Sequence, residues 1–416
     1  MIYLDYQATT PVDERVVEGM APYFRERFGN AHASDHAHGW AAARALSTAK
    51  EEVAALIGAN GGEIVFTSGA SESNNLAILG AALSALNTRR RILVSAIEHK
   101  CVLMAAAHLR DRYGFVVDTV PVNSEGIINF PALASLMSDD VALVSIMAVN
   151  NEVGSIQPIK DIGDAARRVG AIFHCDAAQA PEAIDCSILA EWADLVSLSA
   201  HKMYGPQGLG ALFVRTDLQT RIEPLIHGGG QQGGIRSGTV PLALAVGFGI
   251  AARLCMGAQA ERERIRALRD DFVGRLLTIG HNVRLNGPSG GQRHPGNANL
   301  RFDGVDGRDL LGALQPMVCA SACWPRPRCS TRTLAICALA MVLPAWISSG
   351  SACPEKRSTS TLLLTPICFS PAISRWPLGS TSVTTTLMLP KKLLLLWVAP
   401  LPAKLLLLEP SALARV

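Results

Sequence analysis

The segment LVSLSAHKMYGPQGLGALFVR (195–215) contains two short apolar runs, separated by a turn that carries a single lysine. Short apolar runs bounded by turn residues are typical of strands that are buried on both faces of a sheet. The first run ends at Ser199, the turn contains Lys202 and the tetrapeptide Gly-Pro-Gln-Gly, and the second run begins at Gly210. The segment therefore predicts two strands joined by a turn whose glycines let the backbone approach a ligand.

Upstream of this segment, similar apolar runs alternate with amphipathic helical patterns. Strands are predicted at EIVFTSG, RILVSAIE, FVVDTVPV, VALVSIMAV and AIFHCDAAQ, and helices at WAAARALSTAKEEVAALIGA, SESNNLAILGAALSAL, KCVLMAAAHLRDR and IKDIGDAARRVG. Residues 1–40 look irregular. Because short strands alternate with helices, the fold class is predicted to be α/β, with a mostly parallel sheet covered by helices.

The domain organisation follows from these patterns and from a change of composition near residue 320. We expect a large domain over 1–255, whose first residues, to about 12, could instead join a smaller domain. The helical pattern QAERERIRALRDDFVGRLLTI (259–279) leads into that smaller, incomplete α+β domain, predicted over 256–321. Residues 322–416 form an aberrant tail that we expect to be poorly ordered.

Composition excludes several classes of function. A net charge of +3 is too small to indicate binding to nucleic acid or to an acidic membrane surface. The N-terminus MIYLDYQATTP lacks the basic and apolar regions of a secretory signal, and the late leucine-rich run is too interrupted to span a bilayer. The cysteines lack zinc-site spacing, so no metal site is predicted. We expect a cytoplasmic protein.

The tail differs from the rest of the chain in its charged residues and cysteines. Only Glu355 and Glu409 supply acidic side chains after residue 320, and six of the ten cysteines lie from Cys319 onward. The tail also has no sustained helical or strand period. A folded domain needs acidic groups on its surface, so this composition predicts that the tail is not a selected fold.

Four short motifs follow predicted strands, where open α/β sheets build ligand crevices. SGASESNN (68–75) resembles a phosphate cradle at a helix N-terminus, and EHK (98–100) supplies His99. HCDAAQ (174–179) places Asp176 at a buried strand end, where a carboxylate needs a cation. The turn after Ser199 supplies Lys202, which becomes a nucleophile if it is buried and neutral.

Each motif alone also fits an ordinary role: a helix cap, a packed histidine, a salt bridge or a solvated lysine. Together they are the components of a site for pyridoxal phosphate, in which an Asp holds the pyridine nitrogen and a Lys binds the aldehyde carbon. The combination therefore predicts an enzyme that uses this cofactor.

These stretches resemble those of the cysteine desulfurases, which are class V, fold-type I pyridoxal-phosphate enzymes. The resemblance runs from residue 2 to about 321 and includes LDYQATTP, FTSGASESNN, EHKCVL, VNNEVGSIQPI, HCDAAQA, SLSAHKMYGPQGLGALFVR and GGGQQGGIRSGT. It implies a seven-stranded, mostly parallel sheet, a homodimer, and conversion of L-cysteine to L-alanine and an enzyme persulfide. The sulfur would pass to an acceptor or to an iron–sulfur scaffold protein.

The resemblance also implies a role for each matched residue. Lys202 would hold the cofactor and later take the substrate Cα proton, Asp176 would hold the pyridine nitrogen, and His99 would stack on the ring. The phosphate would be held by Ala70 through its backbone, Ser71, Ser199 and His201, with Thr239 reaching the phosphate of the neighbouring subunit. Gln179 would bond the ring hydroxyl, and Asn151 would lie near the substrate.

The resemblance fails where the nucleophilic cysteine of the family is expected. Cys323 lies near the expected spacing and has suitable neighbours, Ser321 and Ala322, but the preceding Gly-Ser is missing. Cys353 ends a better matching hexapeptide, SSGSAC, at about twice the expected distance, and we expect this match to be a coincidence. The late arginine segment of the family has no clear counterpart.

A shifted reading frame after about residue 321 would explain both the failed resemblance and the composition of the tail. One permitted set of codons for SACPEKRSTST (351–361) encodes Arg-Leu-Pro-Arg-Glu-Glu-Val-Asp-Val-Asp when it is read from the third base. Three hypotheses stay open: a cysteine desulfurase, another class V enzyme such as a selenocysteine lyase or an aminotransferase, and a catalytically impaired remnant that still binds the cofactor.

Overall fold

The computed structural model describes residues 2–85, 88–279, 282–314 and 317–323, and the short stretches 333–337, 394–396 and 406–408. The chain divides into two compact units, Met1–Ala340 and Met341–Val416. In the second unit, the described residues form two antiparallel strands, Leu394–Leu396 and Leu406–Leu408. Apart from residues 322–323, 333–337, 394–396 and 406–408, the tail that was predicted to be poorly ordered lies outside the described residues.

The first unit contains the following described strands and helices. The strands are β1 (Ile2–Tyr3), β2 (Ile64–Thr67), β3 (Arg91–Ser95), β4 (Val116–Val120), β5 (Val141–Ser145), β6 (Ile172–Asp176), β7 (Leu195–Ser199), β8 (Gly210–Val214), β9 (Val283–Leu285), β10 (Asn297–Phe302), β11 (Val318–Cys319), β12 (Ser321–Cys323) and β13 (Thr333–Cys337). The helices are α1 (Glu14–Met20), α2 (Pro22–Arg25), α3 (Ala37–Ile57), α4 (Ala70–Ser84), α5 (Lys100–Tyr113), α6 (Phe130–Leu136), α7 (Ile159–Val169), α8 (Leu189–Trp192), α9 (Leu242–Met256), α10 (Gln259–Ile279) and α11 (Gly307–Leu314).

The main sheet has seven strands in the order β2-β8-β7-β6-β5-β3-β4. The pairs from β4 across to β7 are parallel, whereas β8 is antiparallel to both β7 and β2. Because β2 is reversed twice relative to β7, it runs in the same direction as the parallel strands. The predicted mostly parallel, seven-stranded sheet is confirmed.

Helices cover both faces of this sheet, which explains why its strands are continuous apolar runs. Every residue of β5, β6, β7 and β8 is buried. Alternate residues of a strand face opposite sides: Phe66 packs in the cluster that includes α3 and α9, and its neighbour Val65 packs in the cluster that includes α4 and α5.

The direction of the strands places the four sequence motifs at one edge of the sheet. The strands β2, β3, β6 and β7 run the same way, so their carboxyl-terminal ends lie together. The residues that follow these four ends are the cradle 68–75, the tripeptide 98–100, the residues after Asp176 and the turn that contains Lys202. Open α/β sheets usually bind their ligands in a crevice outside these carboxyl-terminal strand ends.

A second, antiparallel sheet has the strand order β12-β13-β10-β9. The first residues of the chain pair elsewhere: β1 is parallel to β11, with Ile2 opposite Val318 and Tyr3 opposite Cys319. The N-terminus is therefore joined to the segment immediately before the change of composition. The domain boundaries at residues 255 and 321 stay predictions.

The prediction that residues 1–40 are irregular was wrong. The short helices α1 and α2 lie there, and α3 begins at Ala37. Asp13 caps α1 by accepting a hydrogen bond from the backbone N–H of Arg15 at 2.9 Å, and Val16 and Met20 are buried one turn apart. An N-cap residue followed by apolar residues four positions apart is a helix signal, and the sequence of residues 13–20 contains it.

The helices α6 and α9 were also not predicted. α9 is apolar around most of its circumference because it is buried against α3, so it lacks the polar face that marks an amphipathic helix. Within the described residues, no single helix is long and apolar enough to cross a membrane. Among the same described residues, one pair of consecutive helices, α9 and Gln259–Thr278, is long and apolar enough when taken together, but the two helices are bent by 71° at the break between them.

Two buried polar contacts link the central strand β6 to its neighbours β5 and β7 through the side chain of His174. Its Nδ1 lies 2.8 Å from the Ser145 hydroxyl, and its Nε2 lies 3.0 Å from the Ser197 hydroxyl. Burial lowers the pKa of His174 from 6.5 to about 3. The folded protein therefore holds this ring neutral at pH values where the unfolded chain would protonate it.

His174 should make the stability of the protein depend on pH. The folded pKa is lowered, so the unfolded state binds more protons as the pH falls below 6.5, and stability is lost in that direction. We expect the histidine to lower the free energy of unfolding by up to about 1.4 kcal/mol per pH unit between pH 6 and 5. His174→Gln should remove this histidine's contribution and make the pH slope shallower in denaturant unfolding curves, whereas the buried His294, whose pKa is also lowered to about 3, keeps its own contribution.

The exposed His32 provides the matched control, since His32→Gln should leave the pH dependence unchanged. Equal slopes for the unaltered chain and for His174→Gln would contradict the prediction.

Candidate active site

A cavity of about 800 Å³ opens at the carboxyl-terminal edge of the main sheet. It gathers residues from all four motifs, which are far apart in the sequence. Among the predicted site residues, those that line it are Ala70, Ser71, His99, Asn151, Asp176, Gln179, Ser199, His201 and Lys202. The strand directions thus bring the sequence-predicted groups into one crevice.

Lys202 lies in a short 3₁₀ turn, Ala200–Lys202, directly after β7. The sequence predicted a buried lysine, but the side chain is half-buried, because it extends along the wall of an open cavity. Its Nζ donates a hydrogen bond to the backbone carbonyl of Gln7. The amine is therefore directed into the cavity by a fixed acceptor on the N-terminal segment.

Asp176 is the last residue of β6 and is only 4% exposed. Its Oδ2 accepts a hydrogen bond from Asn74 Nδ2 at 2.7 Å, and its Oδ1 accepts one from the Ala178 backbone N–H at 3.0 Å. Burial raises the pKa of Asp176, and these two hydrogen bonds and the charges of His99 and Lys202 lower it in part. A carboxylate in this position favours a cationic ligand group.

His99 is the N-cap of α5, and its exposed ring lines the cavity. Its Nδ1 lies 3.3 Å from the Cys101 backbone N and 2.9 Å from the Cys101 Sγ. These contacts hold the Nδ1 edge of a ring that lines the cavity. The ring can therefore stack on a flat ligand while the helix holds it in place.

The cradle is formed by the turn between β2 and α4. Gly69, with φ of 149°, is the N-cap, and Ala70, Ser71 and Glu72 form the first helical turn. Their backbone N–H groups lie at the helix start, where no intrahelical acceptor is available. The backbone of Gly69 passes so close to Gly210 on β8 that a Cβ on Gly210 would lie 2.5 Å from the Gly69 carbonyl carbon.

The N-terminal segment forms part of the cavity wall and contacts Lys202, a role that the sequence prediction did not assign. The Gln7 backbone carbonyl accepts hydrogen bonds from both Lys202 Nζ and Gln179 Nε2, the latter at 2.9 Å. Thr9 Oγ1 lies 3.1 Å from His201 Nδ1. Burial, with the nearby charge of Lys202, lowers the pKa of His201. These contacts join residues 172 to 195 positions apart, so local patterns could not reveal them.

Sequence reasoning also missed two residues beside Asp176. Asn74 is fully buried on α4 and donates to Asp176, while Cys101 lines the cavity and its Sγ lies 3.2 Å from Asn74 Nδ2. Burial raises the pKa of the Cys101 thiol. Asn74 stood within the quoted cradle motif, and its position one helical turn after Ala70, on the buried face of α4, was the signal.

Three predicted residues are not among the described residues that line this cavity. Thr239 is exposed and does not line the cavity. Only the backbone of Cys323 is described; it lies at the end of β12, two residues after Ser321, which lines the cavity. Cys353 lies outside the described residues. The role predicted for each of these residues stays a prediction.

The groups in the cavity fit pyridoxal phosphate. The buried Ser199 hydroxyl, 1% exposed, has no hydrogen-bond partner among the described residues and lines the same cavity as the cradle. A phosphate would supply its acceptor, a protonated ring nitrogen would place a cation against the Asp176 carboxylate, and Lys202 would supply the amine. Among the described residues, no group of three His, Cys, Asp or Glu side chains could hold a metal ion.

Comparison with known proteins identifies the family. The sequence profile of the class-V aminotransferases matches residues 2–322, and the chain belongs to this family. The match ends where the composition of the chain changes.

The chain also belongs to the cysteine desulfurases within that class, which depend on pyridoxal phosphate. It is 46% identical over 321 residues to cysteine desulfurase IscS of Rickettsia africae (strain ESF-5), covering 77% of this chain and 78% of that protein. The IscS of Rickettsia rickettsii (strain Iowa) is 45% identical with the same coverage.

Solved structures are similar in the same part of the chain. A NifS-like protein is 36% identical, with a TM-score of 0.72, over 76% of this chain and 85% of that one. SspA in complex with cysteine is 36% identical, with a TM-score of 0.66, over 77% and 89% of the two chains. DndA from Streptomyces lividans is 34% identical, with a TM-score of 0.67, over 77% and 91%.

Lys202 should be the residue that binds pyridoxal phosphate covalently, because its amine is fixed at the wall of the cavity. Reduction of the loaded protein with borohydride, followed by peptide mass spectrometry, should place the adduct on Lys202. Lys202→Ala should leave no adduct at any position. The half-exposed Lys50, which lies away from this cavity, gives a matched control as Lys50→Ala. An adduct that survives in Lys202→Ala would contradict the assignment.

Proposed function

We propose that the chain is a pyridoxal-phosphate-dependent cysteine desulfurase that removes sulfur from L-cysteine and leaves L-alanine. The observation that carries this proposal is the convergence of Lys202, Asp176 and the first turn of α4 on one cavity. A chain 46% identical to an IscS cysteine desulfurase presents these groups at the edge where α/β enzymes bind their ligands.

Pyridoxal phosphate, when bound, supplies an electron sink that stabilises negative charge at the Cα of an amino acid. Asp176 would keep the ring nitrogen protonated, since a buried carboxylate favours a cation beside it. Lys202 Nζ would hold the cofactor and then accept and return the substrate Cα proton. The face of His99 would fix the ring against rotation.

The remaining cavity residues would bind and orient. The first-turn N–H groups of Ala70 and Ser71, with Ser199 and His201, would hold the phosphate. Gln179, held against the Gln7 carbonyl, would contact the ring hydroxyl, and Asn151 would face the substrate.

Sulfur removal also needs a cysteine thiolate of the enzyme. Its sulfur forms an S–S bond with the substrate sulfur as the substrate Cβ–S bond breaks, and the released carbon takes the electron pair and then a proton to become the methyl group of alanine. The enzyme is left with a persulfide. Cys323 is the residue that we assign to this role, and Cys353 is the alternative.

Three further parts of the proposal rest on the sequence and on its family. We infer a homodimer in which Thr239 reaches the neighbouring subunit's phosphate, consistent with its exposure on this chain. We also infer a sulfur acceptor, such as an iron–sulfur scaffold protein, and a cytoplasmic location. Neither nucleic acid nor a membrane is a proposed partner.

A second candidate function, a cofactor-binding protein with impaired sulfur transfer, is favoured by the backbone at Cys323. Cys323 lies opposite Thr333 in the antiparallel ladder of β12 and β13, whereas a cysteine that collects sulfur must move into the cavity and leave it. The residues after it are Trp-Pro-Arg-Pro, which are bulky and stiff. The family match also ends at residue 322.

We therefore expect the chain to bind pyridoxal phosphate but to form alanine from L-cysteine slowly. The rate should be roughly tenfold or more below that of a chain whose reading frame is restored after residue 321, since only the latter would present a mobile thiolate. Alanine and protein persulfide are the products to measure, with Lys202→Ala as the inactive control.

Cys323→Ser and Cys353→Ser, made singly, identify the nucleophile. Rapid alanine formation that only Cys353→Ser abolishes would show that SSGSAC is the working loop, and loss in Cys323→Ser alone would show that the β12 cysteine works despite its strand. An enzyme that binds the cofactor but forms no alanine under any of these conditions, and instead transaminates or releases selenium from selenocysteine, would overturn the desulfurase proposal.

A further inference from the structure

A carboxylate lies in the predicted phosphate cradle. Glu72 belongs to the first turn of α4 and lines the same cavity as Ala70 and Ser71. Its Oε2 accepts a hydrogen bond from the Ser68 backbone N–H at 2.7 Å. An ionised carboxylate here would repel the phosphate that the cradle is built to bind.

Arg236 pairs with this carboxylate through two hydrogen bonds. Its Nε lies 2.8 Å from Glu72 Oε1, and its Nη2 lies 3.2 Å from Oε2. The side chains are 19% and 15% exposed, so the pair is partly shielded from water and is stronger than an exposed ion pair. Burial alone would raise the pKa of Glu72, but the hydrogen bonds from Arg236 and Ser68 hold it below its ordinary value.

The loop that carries Arg236 is fixed to the edge of the main sheet. The Gln232 side chain accepts a hydrogen bond from the Phe66 backbone N–H at 2.7 Å and donates one to the Phe66 carbonyl at 2.9 Å, and Gln231 Oε1 accepts from the Gly238 N–H at 2.8 Å. Because β2 is an edge strand, these backbone groups of Phe66 are satisfied by a side chain. These hydrogen bonds, which do not involve Arg236 itself, hold the loop so that Arg236 lies beside Glu72.

We propose that Arg236 is a positioning residue that keeps the cradle able to bind a phosphate dianion by neutralising the Glu72 carboxylate. The proposal rests on the proposed function only in taking pyridoxal phosphate as the ligand. It goes beyond that function because Arg236 acts through Glu72, and it explains why an acidic residue is tolerated at the wall of an anion site.

The test compares pyridoxal phosphate with pyridoxal, which has the same aldehyde and ring but no phosphate. Cofactor-free full-length chain is titrated with each ligand, and the apparent dissociation constant is measured by absorbance. Arg236→Gln should weaken pyridoxal phosphate binding by roughly 10- to 100-fold, because one uncompensated charge then faces the phosphate. Its affinity for pyridoxal should change by less than about threefold.

The double variant Glu72→Gln with Arg236→Gln separates charge from structure. It should return the affinity for pyridoxal phosphate to within about threefold of the unaltered chain, because the repelling charge is gone. Arg253→Gln, which breaks the more exposed Arg253–Glu52 ion pair between α9 and α3, is the matched control and should not discriminate between the ligands.

Two results would overturn the inference while leaving the proposed function intact. Pyridoxal phosphate could bind Arg236→Gln as tightly as the unaltered chain, or both ligands could lose affinity equally without recovery in the double variant, which would assign Arg236 a purely structural role. If the unaltered chain binds no pyridoxal phosphate, the proposed function is overturned, and this inference with it.

Discussion

The buried carboxylate of Asp176 is the constraint on which the rest of the site depends. A charge at the end of a fully buried strand is unfavourable unless donors and a cation compensate it. The chain supplies two donors, from Asn74 and Ala178, and these fix the orientation of the carboxylate. His99 and Lys202 supply positive charge nearby, and a protonated pyridine nitrogen of a ligand would add a cation at the carboxylate itself. Burial of Asp176 thus makes the cavity suited to a ligand that has a cationic ring nitrogen.

The topology of the sheet brings the cradle, Asp176 and Lys202 to the same carboxyl-terminal end of the strands. β8 is antiparallel to both of its neighbours, and this restores β2 to the direction of the parallel strands. The cradle after β2 consequently lies at the same edge as Asp176 and Lys202. The N-terminal segment then crosses this edge, and the carbonyl of Gln7 accepts hydrogen bonds from Lys202 and Gln179. The residues predicted to hold the phosphate, the ring and the substrate therefore all precede the change of composition near residue 320.

Sequence reasoning found the strands and the strand-end residues because their signals are local. Apolar runs of strand length predicted β6 and β7, the end of the first run predicted Asp176, and the turn after the second predicted Lys202. It missed Gln7, Asn74 and the pair of Glu72 with Arg236, because those contacts join positions up to 195 residues apart. It also missed α9, whose burial removes the polar face that reveals a helix. The composition of the tail, by contrast, marked the place where the family match ends, because acidic residues are needed on any folded surface.

The protonation state of the ring nitrogen tests the role of Asp176 most directly. The ¹⁵N chemical shift of ring-labelled pyridoxal phosphate, bound to the full-length chain near neutral pH, reports whether that nitrogen carries a proton. The buried carboxylate predicts a protonated nitrogen in the unaltered chain and an unprotonated one in Asp176→Asn. An unprotonated nitrogen in the unaltered chain, or the same protonated signal in both proteins, would show that Asp176 does not hold the ring.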